Sequence, residues 1–304
     1  MIPEALLEKI ITTGNPTKEI GNFIVKDFSK ALASPDFQYY SEFEQKVSLF
    51  EQWLYENWGT EVYELLIPEN KEEISIITAF QRASEINANV LIADGFSIRE
   101  LIFLINEFGK DRVTYEFSYA YPPTITSKAA TIVFGSPTMK EYFNNKEIII
   151  TGKQWKTRLI ETPMDPPRIG HETGFAFYSY YPDAPLHNAQ IHGTTLQNIG
   201  EVIKKLINMV KELSRYTNLV ITGDHGYIFL GNNPNLYLWK PIKSPRFGEN
   251  LKKPPYLIVE NEAVAIGRFH ALKSRDSFIT HGGISIMESL VPVVIIRREI
   301  NGTV

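Results

Sequence analysis

A chain of 304 residues, 43% hydrophobic and 22% charged, is long enough to bury a sizeable core, either as one large α/β domain or as a domain with an appendage. Its net charge of -4 excludes the global basic field that drives non-specific nucleic-acid binding, although it leaves room for a local basic groove. Cysteine is absent, which removes disulfides, thiolate metal sites and a cysteine nucleophile, and suits a reducing cytoplasm. The start, Met1-Ile2-Pro3-Glu4, lacks the basic and then apolar order of a signal peptide, and no apolar run is long enough to span a bilayer. A soluble, cytoplasmic protein with no membrane partner is expected.

Residues 1–71 read as a helical N-terminal segment. Asn15-Pro16 places a capping side chain before a proline in the first helical turn. Phe43, Val47, Phe50 and Leu54 recur at helical spacing beside Trp53 and Trp58, the pattern of a core face, with a docking surface for a protein partner as the lesser reading. Pro68-Glu69-Asn70-Lys71 is a turn that closes the segment.

Residues 72–304 read as the domain that carries the chemistry. Ile74 to Ala88 is a helix, and Asn89-Val90-Leu91-Ile92-Ala93 is a buried strand that ends in Asp94-Gly95. Ser97 to Phe108 is a helix and Val113 to Tyr121 alternates as a strand. Pro122-Pro123-Thr124-Ile125-Thr126 then breaks the chain ahead of another apolar helical stretch. An aromatic strand from Gly174 to Tyr181 leads to Pro182-Asp183. Leu196, Ile199, Ile203, Leu206, Val210 and Leu213 mark a long amphipathic helix, followed by the short apolar run Thr217-Asn218-Leu219-Val220. This alternation predicts a layered α/β domain with a mainly parallel sheet between helices. Ligand sites in such sheets gather at the carboxyl ends of strands, where Asp94, Asp183 and Asp224 all fall.

The residues with chemical potential can be counted along this frame. Asp224-His225 follows the last strand with Gly223 and Gly226 on its flanks. Taken alone, the pair is as well explained by a turn-capping Asp beside an incidental His as by metal ligation. Asp183 and His187 stand four apart, one turn if the segment coils. His281, in Thr280-His281-Gly282-Gly283, precedes the apolar run Leu290-Val291-Pro292-Val293-Val294-Ile295. Three carboxylates and three imidazoles suit two divalent ions with about three protein ligands each, Zn(II) first and Mn(II) as the competitor. Thr126, at the expected start of a helix, is the natural nucleophile, with Ser127 and Thr124 as rivals and an ordinary N-cap as the plainer role. Lys128 reads as a solvated helix charge. His171, His192 and His270 read as surface or hydrogen-bonded histidines, and Gly135-Ser136 and Gly282-Gly283 as turns.

The ordered set of Asp94, Thr126, Asp183 with His187, Asp224-His225 and His281 resembles the alkaline phosphatase superfamily. The local wording is closer to the PglZ domain of regulators and BREX-type phage-defence systems: a strand ending in Asp, Pro-Thr-Ile-Thr, Asp-His-Gly, and His-Gly-Gly-Ile-Ser-Ile-Met-Glu ahead of Val-Pro-Val-Val. The likeness runs from about residue 86 to residue 298. It implies an alkaline-phosphatase-like layered fold in which Asp183, His187 and His281 hold one ion, and Asp94, Asp224 and His225 the other. Thr126 would attack phosphorus in line to give a phospho-threonine, which water then clears. The implied substrate is a phosphodiester of a nucleotide or oligonucleotide. The alternatives are a phosphomonoester, or a metal-bound partner-binding or regulatory module of a phage-defence or signalling system. A sulfatase is disfavoured because that branch converts a Cys or Ser to formylglycine. A mutase would need a larger insert between Thr126 and Asp183. Two departures bear on how the phosphate is gripped: Ser97 stands where PglZ sequences usually carry Arg, with Arg99 two residues later, and the run from Thr126 to Gly135 is slightly short.

Overall fold

Four apolar residues in a row, Val90 to Ala93, follow Asn89 at the centre of the molecule: β1 (Asn89–Ala93) is buried along its whole length. The computed structural model describes residues 6, 8–9, 12, 16–163, 165–188, 199–230, 239, 246–248, 255–269 and 279–299. Asn15, Leu196, His192 and His270 of the sequence reading, and the chain start, lie outside the described residues.

The N-terminal stretch is helical. It comprises α1 (Pro16–Phe23), a π-helical turn (Ile24–Phe28), a 3-10 turn (Ser29–Leu32), α2 (Phe37–Trp58) and α3 (Glu61–Glu64). Asp36 caps α2 by accepting from the Tyr39 N–H at 3.2 Å, and Gly59, at φ 60, ends it. Phe43, Val47, Phe50 and Leu54 are all buried, so this stripe is a core face.

Strands and helices then alternate. The helix α4 (Ser75–Glu85) precedes β1, and α5 (Ile98–Phe108) leads to β2 (Val113–Tyr119). Next come α6 (Thr126–Phe134), α7 (Met139–Phe143), β3 (Glu147–Ile150), β4 (Lys153–Ile160) and β5 (Phe175–Ser179). They are followed by α8 (Asp183–Asn188), α9 (Ile199–Leu213), β6 (Leu219–Thr222) and the short β7 (Ile228–Phe229). A hairpin of β8 (Tyr256–Val259) and β9 (Glu262–Ala265), then β10 (Ile279–Thr280), α10 (Ile286–Ser289) and β11 (Leu290–Ile296), complete the described chain. The β3–β4 pair answers to no element expected above. Its signal is the apolar run Ile148-Ile149-Ile150 stopping at Thr151-Gly152, both at positive φ.

The main sheet has seven strands in the order β2-β11-β6-β1-β5-β4-β3. Strands β4, β5, β1 and β6 are mutually parallel, β11 runs against β6 and β2, and β3 runs against β4. The layered α/β architecture with a mainly parallel sheet between helices is therefore the one expected. Alternation along β1 divides the core. Val90 and Ile92 pack with Ala79, Phe80, Ala129, Phe143 and Trp155 on the face of α4, α6 and α7. Leu91 packs on the opposite face with residues of α5 and α9 and with the N-terminal helices, whose Ile20, Tyr40, Phe43 and Leu54 belong to the same apolar cluster.

Candidate active site

Strand direction decides which residues meet. Strands β1, β5 and β6 end at one edge of the sheet, and there the chain delivers Asp94, then Asp183 and His187 on α8, then Asp224 and His225. Because β11 is antiparallel to β6, its first residue lies at that same edge, where Leu290 pairs with Tyr119 at the end of β2. His281 arrives just before β11 and Thr126 just after β2. Backbone bonds lock the junction: the Asp94 N–H donates to Ser179 O at 2.9 Å, and the Asp183 N–H to Asp94 O at 3.1 Å. Two glycines permit the crowding. Gly95, at φ +72, faces Asp183 where a Cβ would come within 3.0 Å of that residue's Cβ, and a Cβ on Gly226 would stand 2.1 Å from Met287 O.

The six expected ligands form two clusters, Asp183 with His187 and His281, and Asp94 with Asp224 and His225. In each, one nitrogen or oxygen per residue lies within 4.8 Å of the others. His187 Nε2 is 3.4 Å from Asp183 Oδ2, and His281 Nε2 is 3.9 Å from Asp183 Oδ1. His225 Nε2 is 3.6 Å from Asp94 Oδ1 and 3.8 Å from Asp224 Oδ2. The clusters adjoin, since the His225 and His281 rings stack at 4.2 Å with 18° between their planes.

The chemistry of this donor set fits divalent cations. Asp94, Asp183, Asp224 and His225 are buried, yet Asp183 Oδ1 and Asp224 Oδ2 have no hydrogen-bond partner. A buried, unpaired carboxylate oxygen is costly unless something positive meets it. Burial, then the Asp224 and Asp183 carboxylates, push the Asp94 carboxyl well above its ordinary range; burial likewise raises Asp183. Burial, then the neighbouring His225 and His187, hold the His281 imidazole well below its usual value, which favours the neutral, ligating form. Backbone carbonyls stand opposite the far side of two rings, with His225 Nδ1 3.0 Å from Gly226 O and His281 Nδ1 3.1 Å from Thr124 O. A carbonyl only accepts, so both Nδ1 atoms carry a proton and Nε2 is the atom each ring turns toward the carboxylates, the usual arrangement of metal-binding imidazoles.

Thr126 is the first residue of α6 and not its cap, because Ile125 occupies the cap position without a side-chain bond. The Thr126 hydroxyl lies 3.4 Å from Asp94 Oδ1 and 3.3 Å from His225 Nε2. Its rivals are placed differently. Thr124 is fully buried, with its hydroxyl donating to Gly283 O at 2.8 Å and accepting from the Gly282 N–H at 3.0 Å. Ser127 makes no such hydrogen bond among the described residues.

The remaining candidates stand apart from the clusters. His171 packs on Tyr216, and Lys128 pairs with Glu260 at 2.5 Å over the Tyr121 ring. Ser97 caps α5 in a capping box with Glu100. Arg99 is fully buried and donates to Glu44 and to Tyr227 O.

No protein-family description matches this sequence, and no curated protein does. Among solved structures, human ectonucleotide pyrophosphatase/phosphodiesterase 5 is 13% identical over 68% of this chain and 87% of its own, with a TM-score of 0.37. Its murine counterpart is 14% identical over 70% and 88%, with a TM-score of 0.38. Phosphonoacetate hydrolase from Sinorhizobium meliloti 1021 is 10% identical over 72% and 91%, also at 0.38. Likeness this distant leaves the chemistry to be read from the side chains.

One of those side chains escaped the sequence reading. Tyr178 is fully buried on β5, and its hydroxyl donates to Asp94 Oδ2 at 2.8 Å, leaving Oδ1 toward Thr126 and His225. Strand alternation places Tyr178 on one face with Ala176, but no local pattern names Asp94 as its partner.

Proposed function

We propose that the chain is a two-cation phosphohydrolase with Thr126 as nucleophile, acting first on phosphodiesters of nucleotides or oligonucleotides. The observation that carries this reading is one hydroxyl, at the first position of a helix, within reach of Asp94 and His225 where two clusters of three ligand-type residues adjoin. Asp183, His187 and His281 would hold one cation, and Asp94, Asp224 and His225 the other. The N/O donor set suits Zn(II) best and Mn(II) second. When bound, such cations draw charge from phosphoryl oxygens and ease ionisation of hydroxyl and water.

The chain's own residues do the rest. Tyr178 holds Asp94, and Asp94 Oδ1 orients the Thr126 hydroxyl. The first N–H groups of α6 have no intrahelical acceptor and would be available to the phosphoryl oxygens of a substrate held at Thr126. Thr126 Oγ1 gives its proton to solvent and bonds to phosphorus as the opposite ester P–O bond breaks, and the departing oxygen takes a proton from solvent. Water then adds to the phosphorus of the phospho-threonine, the Oγ1–P bond breaks, Oγ1 regains a proton and the phosphate product leaves. The preference for diesters rests on the PglZ resemblance, which also supports a cytoplasmic role in a phage-defence setting, with residues 72–304 as catalytic domain and 1–71 as its helical N-terminal segment. No helix among the described residues is long and apolar enough to cross a membrane.

The test is hydrolysis of bis-para-nitrophenyl phosphate beside para-nitrophenyl phosphate, with Zn(II) or Mn(II), by the native chain and by Thr126→Ala. Turnover of the diester, abolished in the variant, is expected. Faster monoester turnover would move the substrate class, and bound metal with no turnover above the variant would make the chain a binding module.

A further inference from the structure

Beneath the turns that carry His225 and His281 lies a set of charged side chains with 0% exposure: Glu44 and Glu51 of α2, Arg99 and Glu100 of α5, Arg268 and Glu288, with Arg246 beside them at 3%. Two of the carboxylates come from the N-terminal segment, and both lead to the site. Glu44 pairs with Arg99 and with Arg268. Arg99 Nη1 donates to Tyr227 O at 2.9 Å, two residues after His225. Glu51 Oε2 accepts from Arg268 Nε at 2.8 Å, and its Oε1 accepts from the Ile286 N–H at 2.9 Å.

Ile286 opens α10, whose Glu288 carboxylate accepts from the Gly283 N–H at 2.9 Å, two residues after His281. The backbone carbonyl of the same Glu288 accepts from the Gly226 N–H at 2.9 Å, which joins the two turns. Arg246 closes the far side by pairing with Glu288 and donating to Gly267 O and Phe269 O at 3.0 Å each. An unbroken run of directional bonds thus connects α2 to the backbone beside both imidazoles.

Stability is a poor explanation for such a network. Removing paired charges from water costs about as much as their attraction returns, and apolar residues of similar volume often serve as well or better. Charged, directional bonds do confine the groups they hold to one position, and groups behind a metal ligand tune its orientation. We propose that Glu44 and Glu51 are positioning residues of the active site, so that α2 sets where the His225 and His281 imidazoles stand. This rests on the two-cation reading above.

The test compares the full chain with Glu44→Gln, Glu51→Gln and the charge-balanced double variant Glu51→Leu/Arg268→Met. Three quantities are measured: Zn(II) and Mn(II) affinity by chelator competition, melting in EDTA, and kcat and KM separately on bis-para-nitrophenyl phosphate. Expected are variants that stay folded in EDTA, with Glu44→Gln melting lowest because it leaves Arg99 and Arg268 without that partner, and that bind metal about 10–100-fold more weakly, with kcat reduced more than KM is raised. Glu51→Gln keeps an acceptor for the Ile286 N–H and should be the mildest. Folded variants with native metal affinity and kcat would overturn the proposal. So would a double variant that cannot fold, since the network would then be a stability device. A native chain that binds neither metal would bring down the two-cation reading itself, and this inference with it.

Discussion

His281 Nδ1 lies 3.1 Å from the backbone carbonyl of Thr124, two residues ahead of the Thr126 hydroxyl. One residue thus serves two parts of the site: its carbonyl sets the tautomer of a candidate ligand, and its hydroxyl ties the nucleophile's turn to Gly282 and Gly283. Thr124→Val strips both hydroxyl bonds and leaves a buried N–H and a buried carbonyl unpaired. A loss of about 1–3 kcal/mol is expected in urea unfolding with EDTA present. Turnover should fall as well, because the His281 turn loses its tether.

Metal removal should destabilise the protein. Three buried carboxylates share the site, and the cations that would neutralise them bind the folded state. At a free cation concentration about 100-fold above Kd, the stabilisation is about 2.7 kcal/mol, read as a rise in Tm that EDTA reverses. Asp224→Ala should lower metal content and rate together, whereas Thr126→Ala should lower rate alone. Equal metal loss in the two variants would count against the assignment.

Thr126 should itself become phosphorylated. Thr126→Ala is expected to lose roughly 10³-fold or more in kcat, as removal of a nucleophile does elsewhere, while Thr126→Ser retains part of the rate. Rapid acid quenching followed by peptide mass spectrometry should place the phosphoryl group at position 126. Its appearance at Ser127 instead would reassign the nucleophile.

Tyr178→Phe removes the donor to Asp94 Oδ2 and leaves that oxygen unpaired in a buried site. Metal affinity or kcat should drop about 10–100-fold, the range usual for a group that orients a ligand. Isothermal titration with Mn(II) would detect it, and an unchanged isotherm together with unchanged kcat would remove Tyr178 from the site's support.

Acid sensitivity should trace in part to Glu44. Burial alone would raise its carboxyl, but Arg268 and Arg99 outweigh burial and hold it below its ordinary range. The unfolded chain takes up that proton near about pH 4.3. The stability Glu44 contributes is therefore complete above that value and lost as pH falls through the lower folded-state pKa. Urea unfolding between pH 3 and 7 should find Glu44→Gln less stable than the native chain near neutrality, with the gap closing in acid. Glu51, which burial raises against the pull of Arg268, contributes with the opposite sign, so Glu51→Gln should leave this acid limb in place.

The β-α alternation, the apolar stripe of α2 and the position of each site residue at the end of an apolar run were legible in the sequence, since periods of two and of 3.6 residues are local properties. Asp94, Asp183 and Asp224 were legible as strand-end carboxylates, while the division of Asp94, Asp183, His187, Asp224, His225 and His281 into two groups came from the family resemblance. Tertiary structure alone decided the rest. His281 reaches the common edge only because β11 runs against its neighbours. Thr126 turns its hydroxyl to Asp94 and His225, and is not a cap, because Ile125 takes the cap position. Tyr178 finds Asp94 across 84 residues, and Arg268 finds Glu51 across 217. Partners that far apart leave no periodic trace, because what joins them is the packing of distant elements into one volume and not any repeat along the chain.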